Sequence, residues 1–246
     1  MSTSLYPSPL LDKLNSELVR YIVATGRKPG ERLPSLEKLS AELKLSIGKL
    51  REQLEVARAL GLVEVRPKTG ISVADYNFLP AIRYSLLYAM AQDPDQFAAF
   101  GELRNHVEAA FWFEAVACLT PADHAELRAL IASAWAKLNH HPVQIPHAEH
   151  RSLHLTFFKH LNNAYVKGVL EAYWEAYEAV GLSLFSDYEY LREVWTYHEG
   201  IVTALAAGDA AEAHRLLLAH TSLLRHRELR SGGAALTPAA VSAGVP

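Results

Sequence analysis

The segment from Leu33 to Val73, LPSLEKLSAELKLSIGKLREQLEVARALGLVEVRPKTGISV, constrains the fold more than any other part of the chain. Ser35 can cap a helix running to Leu43, with Leu36, Leu39 and Leu43 on its inner side. Ser46 opens a second helix to about Leu60, with Leu50, Leu54 and Ala57 inward and Gly61 ending it. Val63 and Val65 then alternate with charge, Pro67-Lys68-Thr69-Gly70 turns, and Ile71 and Val73 return. Helix, turn, helix with cations near its start, then a ribbon with a basic tip is the order of parts in a winged helix-turn-helix. Such a head lays its second helix in the DNA major groove. Upstream, Leu10, Leu14, Leu18 and Ile22 recur near helical spacing and predict one helix, closed by Gly26-Arg27-Lys28-Pro29-Gly30.

The net charge of −3 looks wrong for a DNA partner until the chain is divided. Residues 1–74 carry twelve Lys/Arg against eight Asp/Glu, a net of +4, and the remainder carries twelve against nineteen, a net of −7. Local charge is what meets phosphate, and the basic part coincides with the winged pattern. Cys118 is the only cysteine, so an intrachain disulfide is excluded and a reducing cytosol fits. No secretory signal opens the chain and no apolar run approaches membrane-spanning length, so a cytoplasmic location without membrane contact is expected.

Residues 76–80 read as a linker, and 81–229 as helix after helix. Breaks fall at Asp93-Pro94, Thr120-Pro121, His141-Pro142 to Pro146, Asn162-Asn163, Ser186-Asp187 and Gly208-Asp209, with Thr120 and Asp209 placed as caps. Residues 230–246, rich in small residues and broken by Gly and Pro, read as a disordered tail. The expected fold is therefore mainly α: a winged helix-turn-helix over 1–75, of three helices plus a two-strand wing, then an all-α antiparallel helical bundle.

All twelve histidines lie beyond residue 100, and four of them fall on apolar stripes. His150 and His154 stack on a stripe continued by Phe157 and Leu161. His198 belongs with Leu191, Val194, Ile201 and Leu205, and His220 with Ala213, Leu216, Leu217, Leu223 and Leu224. Buried imidazoles need partners, and convergence on one divalent ion, Zn or Ni foremost, satisfies several together. Four unrelated core histidines remain the alternative. Glu149 and His147 are further ligand candidates, while the histidines at other positions read mostly as surface residues. Arg104 and Glu108 are four apart beside Phe111, Trp112 and Ala115, so they either line a pocket or form an exposed helical ion pair.

Taken in order, these motifs resemble the GntR family of bacterial transcription regulators, in the branch with an FCD C-terminal half. The resemblance spans roughly residues 10–227. It rests on Gly30 to Ser35, Ser46 to Leu54 with Leu50-Arg51-Glu52, Gly61-Leu62-Val63 and Thr69-Gly70. In the second half it rests on Leu103-Arg104 with Glu108, His150-Arg151-Ser152-Leu153-His154, Asn163, His198 with Ile201, and Gly208-Asp209 before His220. It implies a homodimer on double-stranded DNA with a near-palindromic operator, and a helical half that senses a small organic acid. It implies metal ligation by His150, His154, His198 and His220, with His150 standing where metal-binding relatives carry an acidic ligand. It also implies that Arg104 holds the effector carboxylate, with Glu108 and Asn163 in the same site. Toward DNA the candidates are Ser35, Ser46, Lys49, Arg51, Lys68, Thr69 and Gly70, with Ile47 and Glu37 where relatives often carry arginine. A ligand-responsive regulator that is not an enzyme is the expected function. A sensor of metal alone and, less favoured, a metal-dependent hydrolase using Glu149 are the alternatives.

Overall fold

The computed structural model describes residues 8–179 and 188–230, which form two compact units. The first draws on residues 8–107 and 158–179, the second on 108–157 and 188–230. The expected break at Ser186-Asp187 lies outside the described residues; of the tail expected over 230–246, Arg230 instead ends the last helix and 231–246 lie outside them.

The first unit begins with α1 (Ser8–Asp12), α2 (Glu17–Ala24), α3 (Leu36–Leu43), α4 (Ile47–Ala59), β1 (Val63–Arg66) and β2 (Gly70–Val73). The single helix expected across Leu10 to Ile22 is two. Ser16 is extended and its hydroxyl accepts the Val19 amide, starting α2 afresh. Arg20 Nε donates to the carbonyls of Leu14 at 2.6 Å and Leu11 at 3.1 Å, so the interrupted backbone stays bonded. Leu10 is accordingly 53% exposed rather than inward. Leu18, Ile22, Leu33, Leu39, Leu50, Leu54, Ala57, Val63 and Ile71 form the core of this head. Burying each of its larger aliphatic side chains contributes roughly 1.5–3 kcal/mol. Ser35 and Ser46 cap α3 and α4 through the amides of Lys38 and Lys49. The strands pair antiparallel, Val63 opposite Val73 and Arg66 opposite Gly70. Residues 30–33 flank β2, with Leu33 N donating to Ile71 O at 2.8 Å.

The rest of this unit is α5 (Leu79–Gln92), the first half of α6 (Gln96–Val116) and α9 (Ala164–Ala179). Leu86 and Met90 of α5 pack on Ala172 and Ala176 of α9. Residues 76–80, expected as a linker, are held in place. Phe78 and Tyr76 meet Tyr165 edge-on at 5.3 and 5.9 Å, and Leu79 already begins α5. Gly168 lets α9 approach: a Cβ there would lie 2.9 Å from both Leu79 N and Phe78 Cβ.

In the second unit α6 continues from Glu108 and is joined by α7 (Pro121–Leu138), α8 (His147–Phe157), α10 (Tyr188–Ala206) and α11 (Ala210–Arg230). Thr120 and Asp123 form a reciprocal capping box at the start of α7. Asp209 accepts the Glu212 amide at 2.8 Å, and Gly208 takes φ of 78° in the turn between α10 and α11. Trp112, Leu127, Leu153, Phe157, Trp195, Ile201 and Leu217 fill the interior. Trp112 Nε1 donates to Ala210 O at 3.1 Å, fixing α6 to the start of α11. No helix among the described residues is long and apolar enough to cross a membrane.

Candidate metal centre and nucleic-acid interface

Three helices of the second unit bring four imidazoles together. α8 supplies His150 and His154 from successive turns, α10 supplies His198 and α11 supplies His220. One donor nitrogen from each lies within 4.8 Å of all the others. His154 and His198 are fully buried, His220 is 3% exposed and His150 is half-buried. The layer around them is aromatic: Trp195 lies 4.9 Å from the His198 ring and 6.0 Å from that of His150.

The nitrogen geometry fits a shared cation. His154 Nε2 and His220 Nε2 each lie 3.2 Å from His198 Nε2. His198 Nε2 carries one proton or one in-plane lone pair, so it cannot satisfy both neighbours with a single hydrogen bond. Four nitrogens around an ion with bonds of ~2.0–2.1 Å are separated by roughly 3.3 Å in a tetrahedron, close to the spacing of these two pairs, and all four donors lie within 4.8 Å of one another. The donor set is all imidazole, which suits Zn, Ni or Cu better than oxygen-seeking Mg or Ca.

Of the further candidates, Glu149 is buried but turned away. Its oxygens accept from Ser133 Oγ at 2.8 Å and Lys137 Nζ at 2.8 Å, so it ties α8 to α7. Burial raises the Glu149 pKa, but the bonds from Lys137, Ser133 and its own amide outweigh this and hold it below the ordinary value. Neither Glu149 nor His147 belongs to the donor group found among the described residues. His106, His140, His141 and His160 are exposed, whereas His214 is half-buried and its Nε2 meets Ala109 O at 3.2 Å. The side chains of Leu224 and His226 lie outside the described residues.

Arg104 and Glu108 are not an exposed pair, because their exposures are 2% and 0%. Glu108 Oε1 lies 3.2 Å from His154 Nδ1, a partner the helical spacing could not reveal. In the other unit, the Arg104 guanidinium lies 4.7 Å from the ring centre of Tyr173 and 5.5 Å from that of Trp174. An aromatic surround keeps a buried guanidinium favourable. Asn163 caps α9, its side-chain oxygen accepting the amides of Tyr165 and Val166.

The seven DNA candidates, Ser35, Ser46, Lys49, Arg51, Lys68, Thr69 and Gly70, are all exposed. Lys49 pairs with Glu52 at 3.0 Å and Arg58 with Glu55 at 2.6 Å, so the two acids expected as partners of Arg51 are engaged by other cations. Glu37 stands near it: its own amide, the Ser35 hydroxyl and the charge of Arg51 hold its carboxyl below the ordinary value. At the wing tip Lys68 has φ of 67° and Gly70 of 84°, left-handed values that let the chain turn between the strands. Arg32 and Arg66 join Thr69 and Ser72 around a polar cleft beside the wing. Only strand pairing places residue 32 next to residue 72, so spacing along the chain could not bring Arg32 to the wing.

Residues 100–223 match the FCD domain. The chain is 27% identical over 202 residues to the HTH-type transcriptional regulator LutR of Bacillus subtilis (strain 168), covering 78% of this chain and 89% of that one. Its fold is similar to the solved structure of Streptococcus agalactiae GntR, with a TM-score of 0.61 at 16% identity, over 89% of this chain and 98% of the other. A further solved structure, E. coli McbR/YncC, aligns over 85% of this chain and 91% of that one at a TM-score of 0.48 and 22% identity.

Proposed function

Because the chain belongs to the FCD branch of the GntR-family transcription regulators, we propose that it binds its operator as a homodimer and responds to a small carboxylate at a histidine-held divalent metal. At the coarser level it is a DNA-binding transcription regulator and not an enzyme. In the finer reading, residues 1–75 contact DNA and residues 81–229 sense the ligand. His150, His154, His198 and His220 would hold the ion, Zn or Ni foremost, which would offer an electrophilic position to a carboxylate oxygen. The observation carrying this reading is the meeting of four imidazole donors from three helices in a buried layer.

Arg104 is assigned to the carboxylate, since a guanidinium can present two parallel donors to it. The aromatic residues around Arg104, Tyr173 and Trp174, sit toward the C-terminal end of α9. Tyr165 and Gly168, which receive residues 76–80, sit toward its N-terminal end. One helix of 16 residues, ~24 Å long, thus carries both sets of contacts. A ligand that favours one placement of α9 would bias the placement of the winged head, and so the separation of two heads on a fixed operator. Coupling of this kind is typically worth about 1–3 kcal/mol, a 5–150-fold change in DNA affinity.

The test is fluorescence anisotropy on labelled duplex from the gene's own promoter region, against random duplex, over a salt series. The expected result is a salt-dependent preference for the promoter, altered by small carboxylates in metal-loaded protein and unaltered in Arg104→Ala. Equal affinity for both duplexes would defeat the regulatory reading. A response to metal alone, indifferent to carboxylate and to Arg104→Ala, would replace the organic effector with the ion itself.

A further inference from the structure

Glu108 is completely buried, and its Oε1 is 3.2 Å from Nδ1 of His154. We propose that Glu108 is a positioning residue of the metal centre: its carboxylate takes the Nδ1–H of His154 and so fixes the tautomer whose Nε2 lone pair faces the other imidazoles. The inference rests on the metal reading above, but it concerns a residue that the family resemblance grouped with the effector site.

A neutral imidazole holds one ring proton. When Nδ1 donates to a carboxylate, Nε2 is left bare, and only the bare nitrogen can ligate. It is Nε2 of His154 that lies 3.2 Å from Nε2 of His198, so the Glu108 contact and the inward lone pair belong to one orientation of the ring. Charge points the same way. Four neutral imidazoles leave a divalent ion with its full charge in an interior where ionic groups are tolerated only when compensated. Among the described residues, the buried carboxylates Asp123 and Glu149 of this unit serve the cap of α7 and the bonds to Lys137 and Ser133. An ionised Glu108 would also repel a carboxylate effector, which fits a role behind the metal rather than in the effector's grip.

Zinc or nickel titrations of full-length apoprotein, in competition with a chromophoric chelator, test this in wild type, Glu108→Gln, Glu108→Ala and His154→Ala. Removal of such a carboxylate partner typically weakens metal binding about 10–100-fold, with the isosteric Gln at the smaller end. In the metal-loaded wild type, nitrogen NMR should show the His154 proton on Nδ1, whether or not either variant folds. Wild-type affinity in both Glu108 variants, or a proton on Nε2 of His154, would overturn the proposal. So would unchanged metal binding with loss of the carboxylate response, which would return Glu108 to the effector. If wild type binds no metal, or His154→Ala binds as wild type does, the metal reading itself fails and this proposal with it.

Discussion

At the scale of single residues, two glycines in the first unit make opposite demands. Gly168 faces backbone: an added methyl would lie 2.9 Å from Leu79 N and 3.1 Å from Phe78 C, and neither atom can swing aside as a side chain end could. Gly168→Ala should therefore cost about 1–3 kcal/mol by overpacking in urea denaturation. It should also blunt any effector response, because residues 76–80 would have to move. Gly101, inside α6, would place its methyl 3.6 Å from Tyr173, an ordinary contact, so Gly101→Ala should gain up to ~1 kcal/mol from helix propensity. Equal effects at the two positions would deny that the approach at Gly168 is special. Arg51, exposed and with Glu52 and Glu55 engaged by other cations, should contact phosphate. Arg51→Ala should then weaken binding about equally across operator variants and lower the salt slope by about 1. A change of base preference instead would make it a base reader. The four histidines were legible in the sequence because each sits on a stripe of leucine, valine or phenylalanine that has to face inward. The partner of Glu108 was not, because His154 is 46 residues away and only the packing of α6 against α8 brings them together.

Between elements, the tie of Glu149 to Ser133 and Lys137 holds α8, which carries two of the imidazoles, against α7. Its carboxyl is held below its ordinary value, so the ionised form is favoured by folding. A group with a depressed folded pKa stabilises above its unfolded pKa and loses that contribution as pH falls through the folded value. Glu149→Gln in metal-free buffer should thus lower stability by about 1–2 kcal/mol at neutral pH. The gap to wild type should close as pH is taken down through and below the carboxylate range. A gap that is constant with pH would mean packing, not charge, is lost. Element limits were read well where capping chemistry sits in the sequence, as at Ser35, Ser46, Thr120 and Asp209. They were read poorly before α2, because leucine spacing ran across Asn15-Ser16 while the Ser16 hydroxyl and Arg20 gave the backbone another way to bond.

For the whole chain, the sequence marks where helices begin and end but not which of them pack together. α5 and α6 are apolar on most of their faces, so periodicity selects no single inward side, and the pairing of α5 with a helix some eighty residues later is invisible to it. The consequence is that all four imidazoles belong to one compact unit, residues 108–157 with 188–230, while the winged head belongs to the other. A ligand that binds only the folded form stabilises it by RT ln(1 + [L]/Kd), about 2.7 kcal/mol at a hundredfold excess over Kd, and it acts on the unit that holds the site. Calorimetry with chelator and then with zinc should therefore resolve two transitions, one rising by roughly 10–20 °C and the other stationary. His154→Ala should abolish the rise without shifting the stationary transition, since residue 154 lies outside the unit that contains the head. One transition moving as a whole would mean the two units unfold together. A rise confined to the transition that an isolated winged head reproduces would place the ion away from the histidines.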